Sequence, residues 1–212
     1  MPEIRYTLLA DGTSDRSLMP HLTWLLQQRL PDYAVQPTMA ELWRMPKPPK
    51  SLGDRIEQTL ILFPCDLLFV HRDAEREPRT ARVDEIRGAL SDIKQISSVP
   101  PAICVVPVRM QEAWLLFNEE AIRRAAGNPN GRMPLSLPSV ASVEDRPDPK
   151  LELYELLRTA SGLGSHRRQR FSRQEAAQRV SEYIDDFSAL RSVPAFRELE
   201  VEIDTAARIH RW

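Results

Sequence analysis

Glycine is scarce in this chain. Seven glycines in 212 residues is about 3%, under half the usual ~7%. That excludes collagen-like and Gly/Ser-linker architectures, and it leaves few places where a backbone could close on a phosphate. No GxxxxGK[ST] motif occurs. The one closely spaced pair, Gly162 and Gly164, follows no strand-like run, so neither a P-loop nor a dinucleotide-binding turn is expected. Cysteine is nearly absent. Cys65 and Cys104 sit far apart in apolar surroundings, and they read as reduced, buried thiols of a cytoplasmic protein. There is no CxxC, HExxH or GxSxG, and the four histidines do not form a zinc signature. No apolar run reaches the ~18 residues of a membrane span. Met1 to Arg5 lack the basic start and apolar stretch of a signal peptide, so no membrane partner is expected. Neither sign of charge dominates. Lys and Arg total 29 against 30 acids, for a net charge of -1. Global charge therefore does not advertise nucleic-acid binding, although a local patch could.

What remains is ordinary globular composition, 42% apolar and 28% charged, enough for one domain with an appendage. Proline, at 18 residues, punctuates it. Ile4 to Ala10 predicts a strand ending in Asp11-Gly12-Thr13-Ser14-Asp15, and Ser17 to Leu30 a helix. A weak strand is expected near Tyr33 to Pro37, a loop over 44 to 53 and a helix over Leu52 to Phe63. Cys65 to Val70 is an almost unbroken apolar run, as in strands covered on both faces. A charged amphipathic helix over Thr80 to Ile96, a strand over Ala102 to Val108 and helical residues around Glu112 to Phe117 and after Asn118 complete the pattern. Strands alternating with helices predict an α/β, mostly parallel, Rossmann-like sheet over residues 1–126. Residues 127–150 read as a Pro-rich loop, a lid or a disordered segment. Residues 151–212 read as an all-helical C-terminal extension packed on the first domain, with helices over Leu151 to Ala160, Arg173 to Leu190 and Pro194 to Ile209.

In parallel sheets, sites form at the carboxyl ends of strands, and here three strands end in DGTSD, HRDAE and VRMQEAW. Asp11 follows the first. Gly12 beside it permits a positive-φ turn or close ligand approach, although Asp11 or Thr13 could merely cap a helix. In His71-Arg72-Asp73-Ala74-Glu75, a continuing strand would point His71, Asp73 and Glu75 to one side. Carboxylates gathered there repel, and a divalent cation such as Mg²⁺ or Mn²⁺ relieves this and can clamp a phosphodiester. The bland alternative is a solvated strand end with surface ion pairs. Glu112 could be a further ligand or general base, or a helix-start residue stabilised by the dipole. Trp114, one turn on, suits a core more than a base-stacking platform. Arg167, Arg168 and Arg170, with Arg173 behind, form the densest positive patch. They suit phosphate contact, or a solvated loop.

An N-terminal strand ending in acidic-Gly-Thr-Ser-Asp, a strand ending HRDAE and a strand leading into QEAW-LL resemble the bacterial DUF4276 family. That family is similar to the Toprim-like group, which includes the Toprim domains of OLD-type nucleases. The resemblance covers roughly residues 4 to 126. It implies a glutamate-like general acid/base at Asp11, one methylene shorter here. It also implies a Mg²⁺-holding D-x-D pair, which maps to His71/Asp73 or to Asp73/Glu75. Two carboxylates suit Mg²⁺ better than an imidazole does, which favours Asp73 and Glu75. The resemblance thus implies a metal-dependent nuclease; together with the reading of the residues, Asp11, Asp73 and Glu75 would hold the ion and Glu112 would assist. Gly12, Asp15, His71, Arg72 and Trp114 would support it, and Arg167, Arg168, Arg170 and Arg173 would guide nucleic acid. It further implies an ATPase partner in antiviral defence, with a homodimer open. A non-catalytic subunit docking that ATPase and a small-molecule phosphohydrolase are the alternatives.

Overall fold

The computed structural model describes residues 1–93 and 99–212. The expected end of the third helix at Ile96, and the Arg168 side chain, lie outside the described residues. Four strands, β1 (Glu3–Leu9), β2 (Ala34–Met39), β3 (Leu67–His71) and β4 (Ala102–Val105), form one all-parallel sheet in the order β2-β1-β3-β4. The register sets Leu9 beside Val70 and Val70 beside Cys104. Strand side chains alternate between faces, and this sorts the core into two layers. Tyr6, Leu8, Phe69 and Val105 face α1 (Met19–Arg29), through Leu22, Leu25 and Leu26. Leu9, Leu68, Val70 and Cys104 face α2 (Leu52–Leu62) and α3 (Arg79–Ser91), through Ile56, Val83 and Ile86. All five residues of β3 are buried, which is why its sequence is continuously apolar.

The weak second strand is a full partner of β1 over six residues. The connection after β1 runs over one face to β2, whereas that after β3 runs over the other to β4. The chain therefore diverges between β1 and β3, the switch point where parallel sheets open a crevice.

Some expected elements differ. The helical run at Glu112 is a single 3-10 stretch, Gln111–Leu115, followed by α4 (Glu119–Ala125) capped by Asn118. Cys65 is half-buried, unlike Cys104, and both thiols are free. After α5 (Pro149–Ala160) and the short α6 (Ser165–Arg168), the expected Arg173 to Leu190 helix stops early, as α7 (Arg173–Val180). Beyond it, Asp186 takes the Ser188 N–H at 2.9 Å and hydroxyl at 2.7 Å. Such local side-chain bonds compete with the helical ladder, and between α7 and α8 (Pro194–His210) lie only the 3-10 turns Ser181–Tyr183 and Ser188–Ser192. The Pro-rich stretch 127–150 packs on the core through fully buried Val143, in a 3-10 turn over Val140–Asp145. Glu144 there accepts the Ala195 N–H at 3.1 Å and so anchors the start of α8. Leu153, Val180, Phe187, Phe196 and Ile203 join Tyr6, Leu22 and Trp114 in one continuous core. Among the described residues, no helix is long and apolar enough to cross a membrane.

Candidate active site

The crevice between β1 and β3 is a cleft of about 350 Å³. Asp11, Gly12, Ser14 and Asp15 line it from the β1 side, His71, Arg72, Asp73 and Glu75 from the β3 side, and Arg82 from α3. The acids read from two separate strand ends thus share one opening, beside the start of α3.

Asp15 organises the β1 loop. Its buried carboxylate accepts the backbone N–H groups of Asp11 and Gly12, both at 3.0 Å. The Ser14 hydroxyl donates to it at 3.0 Å and Gln111 Nε2 at 2.8 Å. Four donors satisfy a buried charge, so Asp15 holds the backbone that presents Asp11. Gly12 is extended, with φ -151°. A Cβ there would meet only the Ser14 hydroxyl, at 3.9 Å, so the expected positive-φ turn is absent.

Asp73 is anchored by the Gln111 backbone N–H, which donates to Oδ1 at 2.9 Å. The same oxygen lies 3.6 Å from His71 Nε2. His71 is buried, and its Nδ1 is 2.9 Å from the Val105 carbonyl; because a carbonyl only accepts, Nδ1 carries the hydrogen. Burial chiefly pushes the Asp73 carboxyl up, to about 6. Glu112 and Asp15 add repulsion, while His71 and the Gln111 bond oppose it. Among the described residues no Arg or Lys pairs with Asp73.

Asp11 and Glu75 are placed differently. Asp11 Oδ1 takes Arg55 at 2.5 Å and Oδ2 faces Arg72 at 3.5 Å, and Arg55 also donates to the Ala10 carbonyl at 2.6 Å. Glu75 faces Arg82 at 3.7 Å, and Glu85 joins Arg82 at 2.9 Å to Arg72 at 3.4 Å. Charges of alternating sign thus run Arg55, Asp11, Arg72, Glu85, Arg82, Glu75. Repulsion at those two acids is already relieved by arginine. Glu75 also does not arrive by strand alternation, because β3 ends at His71. Glu75 instead adopts φ 54°, and its N–H donates to the carbonyl of Arg109, itself at φ 65°, at 2.8 Å. Paired left-handed, non-glycine residues are strained, and they set the turn that brings Glu75 to the cleft.

Glu112 does not line this cleft. It lies buried in an adjoining pocket of about 220 Å³, with Lys150 Nζ at 3.2 Å. Burial disfavours the Lys150 charge, but Glu112, Tyr154 and Asp73 outweigh it and hold its pKa above the ordinary lysine value. Trp114 is fully buried, edge-on to Phe196 with ring centres 5.2 Å apart, and serves the core. Arg167 and Arg170 are exposed on and after α6, and Arg167 lines a separate depression. Arg173 faces Glu155 at 3.8 Å and lies over the Tyr154 ring.

The residues that the sequence reading passed over are Gln111, Arg55, Arg82 and Lys150. Gln111 carried a weak signal: a neutral amide beside Glu112 in the segment that follows β4. The others come from helices with no local cue.

Among the described residues, no three His, Cys, Asp or Glu side chains form a ready-made metal shell. Mg²⁺ itself takes one or two carboxylates and keeps several waters. An acid pooled with Asp15 and Glu112, and lacking an Arg or Lys partner among the described residues, fits such a hard cation. Set against protein-family models, curated proteins and solved structures, the chain finds no match.

Proposed function

We propose that the protein is a Mg²⁺- or Mn²⁺-dependent phosphodiester hydrolase of Toprim-like kind, acting on nucleic acid. The observation that carries this reading is Asp73: a half-buried carboxylate at the switch point, raised to about 6 chiefly by loss of hydration and further by two neighbouring acids. Asp73 would hold the ion, with Glu75 on the same β3 side of the cleft and Asp11, from the β1 side, able to join by releasing Arg72. The ion, when bound, would neutralise charge developing on a phosphoryl oxygen. The chain's own groups do the remainder. Asp15 fixes the backbone on which Asp11 is mounted, and the Gln111 N–H fixes the Asp73 carboxylate itself. Arg72, only loosely paired at 3.5 Å, can turn its guanidinium fork to a phosphate oxygen. Arg167 and Arg170, with Arg168, would steer the polyanion. The resemblance to DUF4276 adds an ATPase partner in host defence.

The test is cleavage of single- and double-stranded DNA and RNA with either ion, beside Asp73→Ala. We expect a loss beyond the about 10- to 100-fold that follows removal of outer-shell metal partners. Activity untouched by that change overturns the reading.

One observation favours a second reading, a non-catalytic subunit that docks an ATPase: Asp11 and Glu75 are already balanced by Arg55, Arg72 and Arg82. It predicts no Mg²⁺ uptake by calorimetry and an ATPase pull-down retained in an Asp11/Asp73/Glu75 triple-Ala variant.

A further inference from the structure

The pocket beside the acid cleft shares Ser14 with it. Its walls unite the two parts of the chain. Ser14 and Glu112 follow β1 and β4, Lys150 and Tyr154 lie on α5, and Gln174 and Gln178 lie on α7. Gln174 and Gln178 are one helical turn apart and so neighbours on one face. Both are exposed, and among the described residues neither amide has a hydrogen-bond partner. Each offers a donor and an acceptor. The Tyr154 ring is half-buried, with the Arg173 guanidinium 5.5 Å above its centre. Lys150 lines this pocket with Glu112, 3.2 Å away, and feels the charge of Asp73 in the neighbouring cleft.

The volume of about 220 Å³ falls below the roughly 300–1,000 Å³ of drug-sized sites and suits one nucleoside-sized group. A glutamine amide pairs bidentately with the N6/N7 edge of adenine. A phenol ring gives a base a surface to stack on. A lysine in the pocket wall offers its charge to a phosphate. We propose that this pocket binds the nucleoside adjoining the scissile phosphate, its purine base against Gln174, Gln178 and Tyr154 and its phosphate directed by Lys150 toward Asp73. The C-terminal helices thereby supply a base-selecting half of the site. The substrate class rests on the phosphodiesterase reading; the binding itself does not.

The experiment titrates the full chain with adenosine 5′-monophosphate and with ribose 5-phosphate, without divalent ion, followed by calorimetry or by NMR. Gln178→Ala and Tyr154→Leu are run beside it. Gln178 is exposed and alanine favours helix, so that variant keeps the fold, which circular dichroism checks. We expect the nucleotide to bind at least about tenfold more tightly than the sugar phosphate. Gln178→Ala should weaken the nucleotide about fivefold, in line with one lost pair of hydrogen bonds, and leave ribose 5-phosphate unchanged. Equal affinity for the two probes, or indifference of the nucleotide to Gln178→Ala, overturns the proposal. Base-dependent binding without any metal-dependent cleavage keeps the pocket and removes the hydrolase reading. Asp73-dependent cleavage without base-dependent binding does the reverse.

Discussion

Gln111 Nε2 donates to Asp15 Oδ1 at 2.8 Å across 96 positions of sequence. The Gln111 backbone N–H donates to Asp73 at 2.9 Å, and its Oε1 accepts the Ser17 hydroxyl at 3.0 Å. One amide side chain and its own backbone therefore tie together the chain that follows β1, β3 and β4. The acids hold their relative places because of this neutral residue.

Gln111→Ala should be destabilising in proportion. It strips a donor from the buried Asp15 carboxylate, and unsatisfied buried groups cost about 1–3 kcal/mol. A drop of several degrees in Tm is expected, at about 2–4 °C per kcal/mol for a chain of this length. Thermal unfolding with an unchanged midpoint would show that the network is not rigid in solution.

Buried His21 and half-buried Asp73 pull stability in opposite directions as pH falls. Burial, beside Phe187 with ring centres 4.2 Å apart, holds the His21 imidazole down at about 4. Unfolded histidine titrates near ~6.5, so the His21 contribution is lost as pH drops from there toward about 4. Asp73, raised to about 6, does the reverse. The folded chain takes up a proton before the unfolded chain does, so this contribution grows as pH falls from about 6 to ~4. In metal-free protein, Asp73→Asn should be the more stable form at about pH 8. The gain is at most about 3 kcal/mol, since a tenfold change in proton affinity is worth ~1.36 kcal/mol. The advantage should vanish near pH ~4, leaving a steeper acid decline driven by His21. Chemical denaturation across this range measures both slopes.

Glu112 and Lys150 form an unequal pair, with side chains 7% and 41% exposed. Removing the lysine strands a buried carboxylate, whereas removing the acid leaves a lysine that can reach water. Lys150→Met should therefore be more damaging than Glu112→Gln, and a double-mutant cycle should give about 1–2 kcal/mol of coupling, between the values for surface and buried pairs. Glu112→Gln should also lower the Asp73 pKa, because the Glu112 charge helps to raise it; carboxyl NMR titration reads this directly.

The acid cleft was legible in the sequence because strand ends are: abrupt changes from apolar runs to Asp11 and to His71-Arg72-Asp73 mark where a parallel sheet stops. The helix-covered sheet followed from the apolar continuity of β3. What the sequence hid was long-range charge balance. Arg55 lies on α2, and nothing near it in the chain points to Asp11, yet it makes the tightest contact there. Of the two readings of Gly12, the positive-φ turn is not taken: Asp15 accepts the N–H groups of Asp11 and of Gly12 itself and holds the loop extended there. The end of α7 was missed because the chain passes after Val180 into a 3-10 turn and turns extended at buried Ile184, a local break that apolar periodicity does not register.

The arginine patch gives a separate expectation. If Arg167 and Arg170 contact phosphates, replacing both with Ala should reduce the salt slope of nucleic-acid binding by about 2 and weaken all sequences alike. Fluorescence anisotropy over a salt series checks it, and an unchanged slope assigns these residues to solvent.

The central claim is that the cleft built on Asp73 takes a divalent cation. Mn²⁺ titration of the full chain, followed by electron paramagnetic resonance, tests it without reference to any substrate. The account predicts a site that is lost in Asp73→Asn, weakened in Glu75→Gln, and progressively emptied as pH falls through about 6, where Asp73 takes up its proton. Mn²⁺ binding that is absent from the wild-type chain, or equally strong in Asp73→Asn, would contradict it.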